Sequence, residues 1–342
     1  MESEAYFRQP FLQQTDSYFT EETFNELDPK IPPWKDANFS ERLLLIYLYF
    51  SIYLPVFLLL SLLIGGYIIY ILFYTVPLVL DTDDRPELYY WHSDSEKRNA
   101  KIRGWLFFSL ITFFLILCLI SHFMATVTDC GSIPPGKEWD IPSGESSDSS
   151  SKNPDLVEKR RDGSYRTCTR CQKRKPDRTH HCKQCERCNL KMDHHCNWIA
   201  NCVGYYNYKY FFLTVLHGSI LSLIFISTFW ETLIIVLMDS QSSIPYCLFI
   251  ELTYSLVLMI SVCVVSFCCF HVWLIANNYT TIEYCEKKRG GIPEYSVSPF
   301  NGGVYHNFQE ALGKNPAFWL FPIKYRSNEE KGLHFVRKNE QA

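Results

Sequence analysis

The sequence predicts an all-α membrane protein: four transmembrane helices, with a cytosolic cysteine-rich domain of short hairpins between helices 2 and 3. Three observations predict it. Apolar residues make up 47% of the 342, and they gather into long uncharged runs. Seven of the fourteen cysteines fall in the 35 residues from Cys168 to Cys202. The segment around those cysteines, Asp129 to Lys209, holds 15 Lys or Arg against 11 Asp or Glu, which places it on the cytosolic side by the positive-inside rule.

Residues 1–42, acidic and polar with several prolines, read as a cytosolic N-terminal tail. They do not resemble a signal peptide, and Glu2 after Met1 offers no myristoylation site. From Leu43 to Leu80 there are 38 residues without a charge. As helix these would reach about 57 Å, well beyond the ~30 Å core of a bilayer. Pro55 and Gly65-Gly66 interrupt the run, but no polar loop divides it. One tilted or kinked span ending near Leu80 is expected, preceded by an aromatic-rich interfacial stretch.

Residues 81–103 form a polar lumenal loop and Trp105–Val127 a second span, so helices 1 and 2 occupy 43–128. The Ser-, Pro- and Gly-rich stretch 129–163 reads as a flexible linker. The cysteine-rich domain covers 164–208. Helices 3 and 4 fall within 209–276, as Phe211–Met238 and Leu252–Ala276, and 277–342 is a cytosolic tail. An even number of spans returns both tails to the same side. A reducing cytosol suits thiolate ligands and a free reactive cysteine.

Within the cysteine-rich domain one four-ligand pattern is written twice, fourteen residues apart. Cys168-x2-Cys171-x9-His181-x6-Cys188 recurs as Cys182-x2-Cys185-x9-His195-x6-Cys202. Each Cys3His set supplies what one tetrahedral structural zinc ion needs, so two zinc ions are expected. A third copy would begin at Cys196, but its other positions are Ile199, Lys209 and Leu216. Cys196 is therefore the thiol left over.

The same repeat aligns two HHC strings, His180-His181-Cys182 and His194-His195-Cys196. Thr179 precedes the first and Asp193 the second. A carboxylate orients an imidazole and stabilises its protonated form, which helps that ring accept a thiol proton. Only the second string thus combines an acid, a base and a non-ligand thiol, and Cys196 becomes the candidate nucleophile. The alternative role for Asp193 and His194 is hydrogen-bonded support of the zinc ligands.

These residues carry a resemblance. Asp193-His194-His195-Cys196 within a cysteine-rich domain resembles the DHHC-type protein S-acyltransferases, or palmitoyltransferases. Pro176-Asp177-Arg178, Lys191-Met192, Asn201-Cys202-Val203-Gly204, Asn207 and Phe211 stand at family spacing. Thr280-Thr281-Ile282-Glu283 matches the TTxE motif, and Tyr305-His306-Asn307-Phe308 resembles the family's C-terminal segment. Two positions depart from the pattern: Cys130 stands where Pro is usual after the second span, and Asn197 where Pro usually follows the reactive cysteine.

The resemblance implies transfer of a long-chain acyl group from acyl-CoA, such as palmitoyl-CoA, to Cys196. From there the group passes to juxtamembrane cysteines of membrane-associated substrate proteins. It implies Thr281 and Glu283 as braces between the zinc domain and the membrane. It implies residence in the Golgi, endoplasmic reticulum or plasma membrane, with the zinc domain cytosolic. CoA phosphates need cations, and Arg166 to Lys191 holds nine Lys or Arg against two Asp or Glu. Lys173, Arg174 and Arg178 are the candidates for CoA, while the same face also suits anionic lipid headgroups. Nucleic acid is not an expected partner, since the chain is membrane-tethered and lacks a recognition-helix pattern. Few intramembrane charges mark a channel or transporter pathway.

Overall fold

The computed structural model describes residues 38–80, 93–136, 139–141, 165–290, 298–326, 332–333 and 335. Among these, four helices are long and apolar enough to cross a membrane. They are α1 (Phe39–Val79), α2 (Asp94–Val127), α3 (Tyr208–Met238) and α4 (Ile244–Asn277). Two shorter helices follow, α5 (Thr281–Gly290) and α6 (Val304–Leu312).

Helix α1 is continuous, with no turn that would make it two crossings. Asn38 and Glu41 form a reciprocal capping box at its start. Pro55 stays inside the helix, and Ile71–Thr75 form a π turn. The second helix begins eleven residues before the expected Trp105, so residues 94–103 are helical rather than part of the polar loop. The Ser93 hydroxyl accepts the Glu96 N–H, and Asp94 and Glu96 complement the helix N-terminus, so polar turns extend the helix beyond its apolar run. Residues 81–92 lie outside the described residues.

Helix α3 is central and lines the core with α2. Tyr70, Tyr74, Ile111, Leu115, Phe225, Phe229 and Ile250 form a separate core within the bundle. Tyr70 and Thr228 share a hydrogen bond of 2.9 Å there, and Arg103 pairs with Glu231 at 2.7 Å. Ser219 bonds the Val264 carbonyl, and Ser222 bonds Ser261. Both serines therefore lace α3 to α4, the close-packing role of small residues in membranes.

Among the described residues between α2 and α3 stand three two-stranded antiparallel hairpins. They pair β1 (Thr167–Cys168) with β2 (Lys173–Arg174), β3 (His180–Cys182) with β4 (Arg187–Asn189), and β5 (His194–Cys196) with β6 (Asn201–Val203). The fourteen-residue register thus extends to a third copy in backbone form. Gln172, Glu186 and Ala200 repeat it at the knuckles, with φ of 51°, 49° and 48°. In the first two knuckles the amide of the second cysteine points at the first sulfur, at 3.4 Å in each. In the third, Ile199 takes the second cysteine's place and is buried against Phe211 and Val203. Apolar packing replaces metal ligation at that knuckle, which leaves the sulfur of Cys196 uncommitted, while His195 and Cys202 on the same hairpin belong to the second ligand set.

The expected linker 129–163 requires correction at its start. Cys130, Ile133 and Trp139 are buried, Ser132 bridges to Asn189, and Asp140 bridges to Lys173. Cys130 at the proline position fits without strain: its thiol donates to Asn189 Oδ1 at 3.2 Å. The neighbouring Gly204 cannot carry a side chain, since a Cβ would meet the Cys130 and Leu190 carbonyls at 2.9 Å. Residues 142–163 lie outside the described residues. The C-terminal region is likewise more than a tail. Phe300, Leu333 and Phe335 join Trp139, Leu190 and Tyr205 in one core, and the Arg326 guanidinium stacks on Tyr205 at 3.6 Å. Apolar clusters in a polar sequence were the signal for this packing.

Candidate active site and metal clusters

Each predicted ligand set converges. In Cys168, Cys171, His181, Cys188 and in Cys182, Cys185, His195, Cys202, the ligand atoms all lie within 4.8 Å of one another. A tetrahedral zinc with bonds of about 2.3 Å to sulfur and 2.0 Å to nitrogen separates its ligands by about 3.5–3.8 Å. His195 Nδ1 lies 3.6, 3.3 and 3.5 Å from the sulfurs of Cys182, Cys185 and Cys202. His181 Nδ1 lies 3.2 and 3.9 Å from those of Cys171 and Cys188. Both histidines present the same nitrogen, and the spacing suits zinc. Crowding also sets the thiols against one another. Contacts with Cys185 and Cys202 hold Cys182 down, while contacts with Cys130 and Cys182 push Cys202 up. Four deprotonated ligands need a cation among them.

The third hairpin carries Asp193, His194 and Cys196 to the end of the bundle that meets the metal clusters. Asp193 is fully buried, and its two oxygens receive three hydrogen bonds. His194 Nδ1 lies 2.7 Å from Oδ2, the Thr281 hydroxyl donates to Oδ2 at 2.7 Å, and the Thr281 N–H donates to Oδ1 at 2.9 Å. Burial opposes ionisation of Asp193, but the bonds from His194 and Thr281 prevail and hold its carboxyl below the usual range. His194 rests edge-on against Phe211 at 5.0 Å. Burial disfavours its charge too, yet hydrogen bonds to Asp193 and Cys196 outweigh that and raise it to about 9.

The other HHC string is the internal control. Burial and the neighbouring Arg166 guanidinium push His180 down to about 3. Two histidines in equivalent positions are thus driven in opposite directions, one beside a carboxylate and one beside an arginine. Cys196 is 8% exposed, in a cluster with Ala125 of α2, Phe211 and Val215 of α3 and Cys268 of α4. Its sulfur therefore meets the apolar end of the bundle on one side and His194 on the other.

Motif residues outside this trio brace it. Asn207 Nδ2 donates to the Cys202 and Ala125 carbonyls, and Asn201 Nδ2 to that of Thr128. Together they satisfy carbonyls in the last turn of α2, which no helical N–H reaches. Asn307 does the same for α4 through the Ala276 carbonyl at 2.8 Å. Glu283 takes a two-pronged bond from Arg178, at 2.7 and 2.8 Å.

That last contact corrects one expectation. Arg178 is 1% exposed, bonded to Glu283 and Asn278, and its guanidinium sits 4.4 Å over the Phe300 ring. It has no face left for a CoA phosphate. Lys191 is similarly committed to Glu310 at 2.6 Å, and Arg187 to Asp129 at 3.2 Å. Lys173 and Arg174 lie half-buried on β2. Sequence reasoning also missed Tyr208 and His271, whose hydroxyl and Nδ1 meet at 3.2 Å beside His194. A histidine in an apolar span was the available signal.

A four-span membrane bundle bearing two Cys3His clusters, with a third hairpin that presents a carboxylate, an imidazole and a free thiol, defines a class. The model of the DHHC palmitoyltransferase family matches residues 162–288. Probable protein S-acyltransferase 15 of Arabidopsis thaliana is 34% identical over 273 residues, covering 77% of this chain and 96% of that protein. Palmitoyltransferase ZDHHC15A of Danio rerio is 37% identical over 169 residues, 47% of this chain and 49% of that protein. Probable protein S-acyltransferase 13 of Arabidopsis thaliana is 32% identical over 242 residues, 67% and 77% of the respective chains. The chain belongs to the DHHC palmitoyltransferase family.

Proposed function

We propose that the protein is a protein S-acyltransferase that moves a long-chain acyl group from acyl-CoA to Cys196 and then to a cysteine of a membrane-associated protein. The observation that carries this reading is the Asp193–His194–Cys196 set at the mouth of the bundle. In the first step His194 takes the Cys196 proton, with Asp193 holding its Nδ1 and stabilising the imidazolium. The thiolate attacks the thioester carbonyl, the carbon–sulfur bond to CoA breaks, and His194 returns the proton to the CoA sulfur. In the second step a substrate cysteine attacks the acyl-enzyme, its proton passing through His194 to Cys196. One thioester replaces another, so neither step needs a further energy source.

The apolar cluster around Cys196 supports a long-chain donor, since each CH2 kept from water contributes about 0.8 kcal/mol. Cys168, Cys171, His181, Cys188 and Cys182, Cys185, His195, Cys202 would hold two zinc ions that fix the hairpins. Lys173 and Arg174 are the remaining candidates for CoA phosphates. The reading places the cysteine-rich domain in the cytosol and the protein in the Golgi, endoplasmic reticulum or plasma membrane, where substrates present juxtamembrane cysteines. The test is incubation of the purified full chain with labelled palmitoyl-CoA. A hydroxylamine-labile adduct in the wild type, absent from Cys196→Ser, is expected; a wild type that takes no label would sink the proposal.

A further inference from the structure

His271 lies in the last two turns of α4, fully buried at 1% exposure. Its ring packs edge-on against Phe267 and Phe211, at 4.5 and 5.1 Å between centroids. Phe211 also meets His194 edge-on, and the two histidine rings are 6.2 Å apart. Cys268, one helical turn earlier on α4, shares the apolar cluster of Cys196. The imidazole therefore sits at the level of the reacting thiol, on the wall contributed by α4. Nδ1 is 3.2 Å from the Tyr208 hydroxyl, and Nε2 has no hydrogen-bond partner among the described residues although it is inaccessible to solvent.

A buried nitrogen without a partner costs free energy unless something else meets it. When the Tyr208 hydroxyl donates to Nδ1, a neutral ring carries its proton on Nε2. The result is an N–H donor, fixed by Tyr208 and two phenylalanines, on the helix whose Cys268 packs in the nucleophile's cluster and 6.2 Å from the His194 ring. Such a preorganised donor is most effective where negative charge develops during reaction. We infer that His271 supplies a hydrogen bond from Nε2 to the thioester carbonyl oxygen of the acyl group at Cys196, with Tyr208 as the residue that positions it.

The inference rests on the acyl-enzyme reading above. As the Cys196 sulfur–carbon bond forms, the carbonyl pair moves onto oxygen and Nε2–H holds that oxyanion without giving up its proton. When the bond to the CoA sulfur breaks, the carbonyl reforms and the hydrogen bond weakens. His194 alone handles the thiol protons. The bond would form again in the second step, on attack by the substrate cysteine.

The experiment is single-turnover acylation by 13C-carbonyl palmitoyl-CoA in wild type, His271→Phe, His271→Gln and Tyr208→Phe, with zinc content measured for each. Removing one oxyanion donor slows a comparable step by about 100- to 1,000-fold. His271→Phe is expected to lose acylation rate on that scale, with little change in the KM for acyl-CoA. His271→Gln, which keeps an N–H donor, should recover part of it. Infrared spectra should show the carbonyl stretch of the acyl-enzyme moving to higher wavenumber in His271→Phe and in Tyr208→Phe, a change that a packing role does not produce. Wild-type acylation in His271→Phe would overturn the inference, as would a zinc-replete His271→Gln no faster than His271→Phe. A wild type that never forms the adduct would instead overturn the underlying reading.

Discussion

Thr281 reaches the reaction from outside the cysteine-rich domain, and Thr281→Val measures that link. The substitution keeps shape and the backbone N–H bond to Asp193 Oδ1, but removes the 2.7 Å hydroxyl bond to Oδ2. Oδ2 is also the atom that meets His194 Nδ1, so the loss frees the carboxylate to rotate away from the imidazole it orients. A hydrogen bond to a charged group contributes about 1.5–3 kcal/mol. At 1.36 kcal/mol per factor of ten, acylation of Cys196 should slow by about 10- to 150-fold if the whole bond is expressed in the transition state. Single-turnover labelling with palmitoyl-CoA reads that rate. Thr281→Ser restores the hydroxyl and should restore most of the rate, and both variants should keep the zinc content of the wild type. Wild-type acylation in Thr281→Val, or a Thr281→Ser as slow as Thr281→Val, would refute the reasoning.

Other outcomes follow from the same contacts. Arg178→Ala leaves Glu283 without its buried cation, whereas Glu310 keeps Lys191, and should destabilise the protein by about 3–5 kcal/mol, read as a lowered melting temperature in detergent. Lys173→Ala should leave the melting temperature unchanged and raise the KM for acyl-CoA, since among the described residues no ion pair ties Lys173 into the fold and it lies half-buried on β2. The raised His194 sets a pH dependence. Its folded-state value of about 9 lies above the ordinary 6.5, so the folded protein binds the extra proton. That stabilisation is full below about pH 6.5 and lost as pH rises through about 9, amounting to roughly 3 kcal/mol at 1.36 kcal/mol per unit. Thermal melts should fall across that window, and more gently in His194→Gln.

The spans and the metal clusters were legible because their signals are local. A run without charge needs no tertiary information to be excluded from water, and ligand spacing follows from knuckle geometry. The leftover status of Cys196 was arithmetic on the repeat. What the repeat did not disclose is that the third hairpin still folds, with Ile199 in a ligand's place. The fate of Arg178 was hidden for a different reason: its partner Glu283 is 105 residues away, and a buried pair looks like a free cation in sequence. The packing of residues 129–141 escaped because Ser, Pro and Gly content outweighed three buried apolar side chains. His271 escaped because a single polar residue in an apolar helix has no period to betray its face.

The central claim is that the first two knuckles present their cysteine pairs to metal while the third, built on the same register, leaves Cys196 for chemistry although His195 and Cys202 of its hairpin complete the second cluster. It is tested most directly by measuring zinc and acyl occupancy together on the purified chain after incubation with palmitoyl-CoA. Peptide-level mass spectrometry should place the thioester on Cys196, with about two zinc ions per chain retained both in the acylated protein and in Cys196→Ser. Loss of one zinc ion in Cys196→Ser, or a thioester carried by Cys182 or Cys202, would contradict the account.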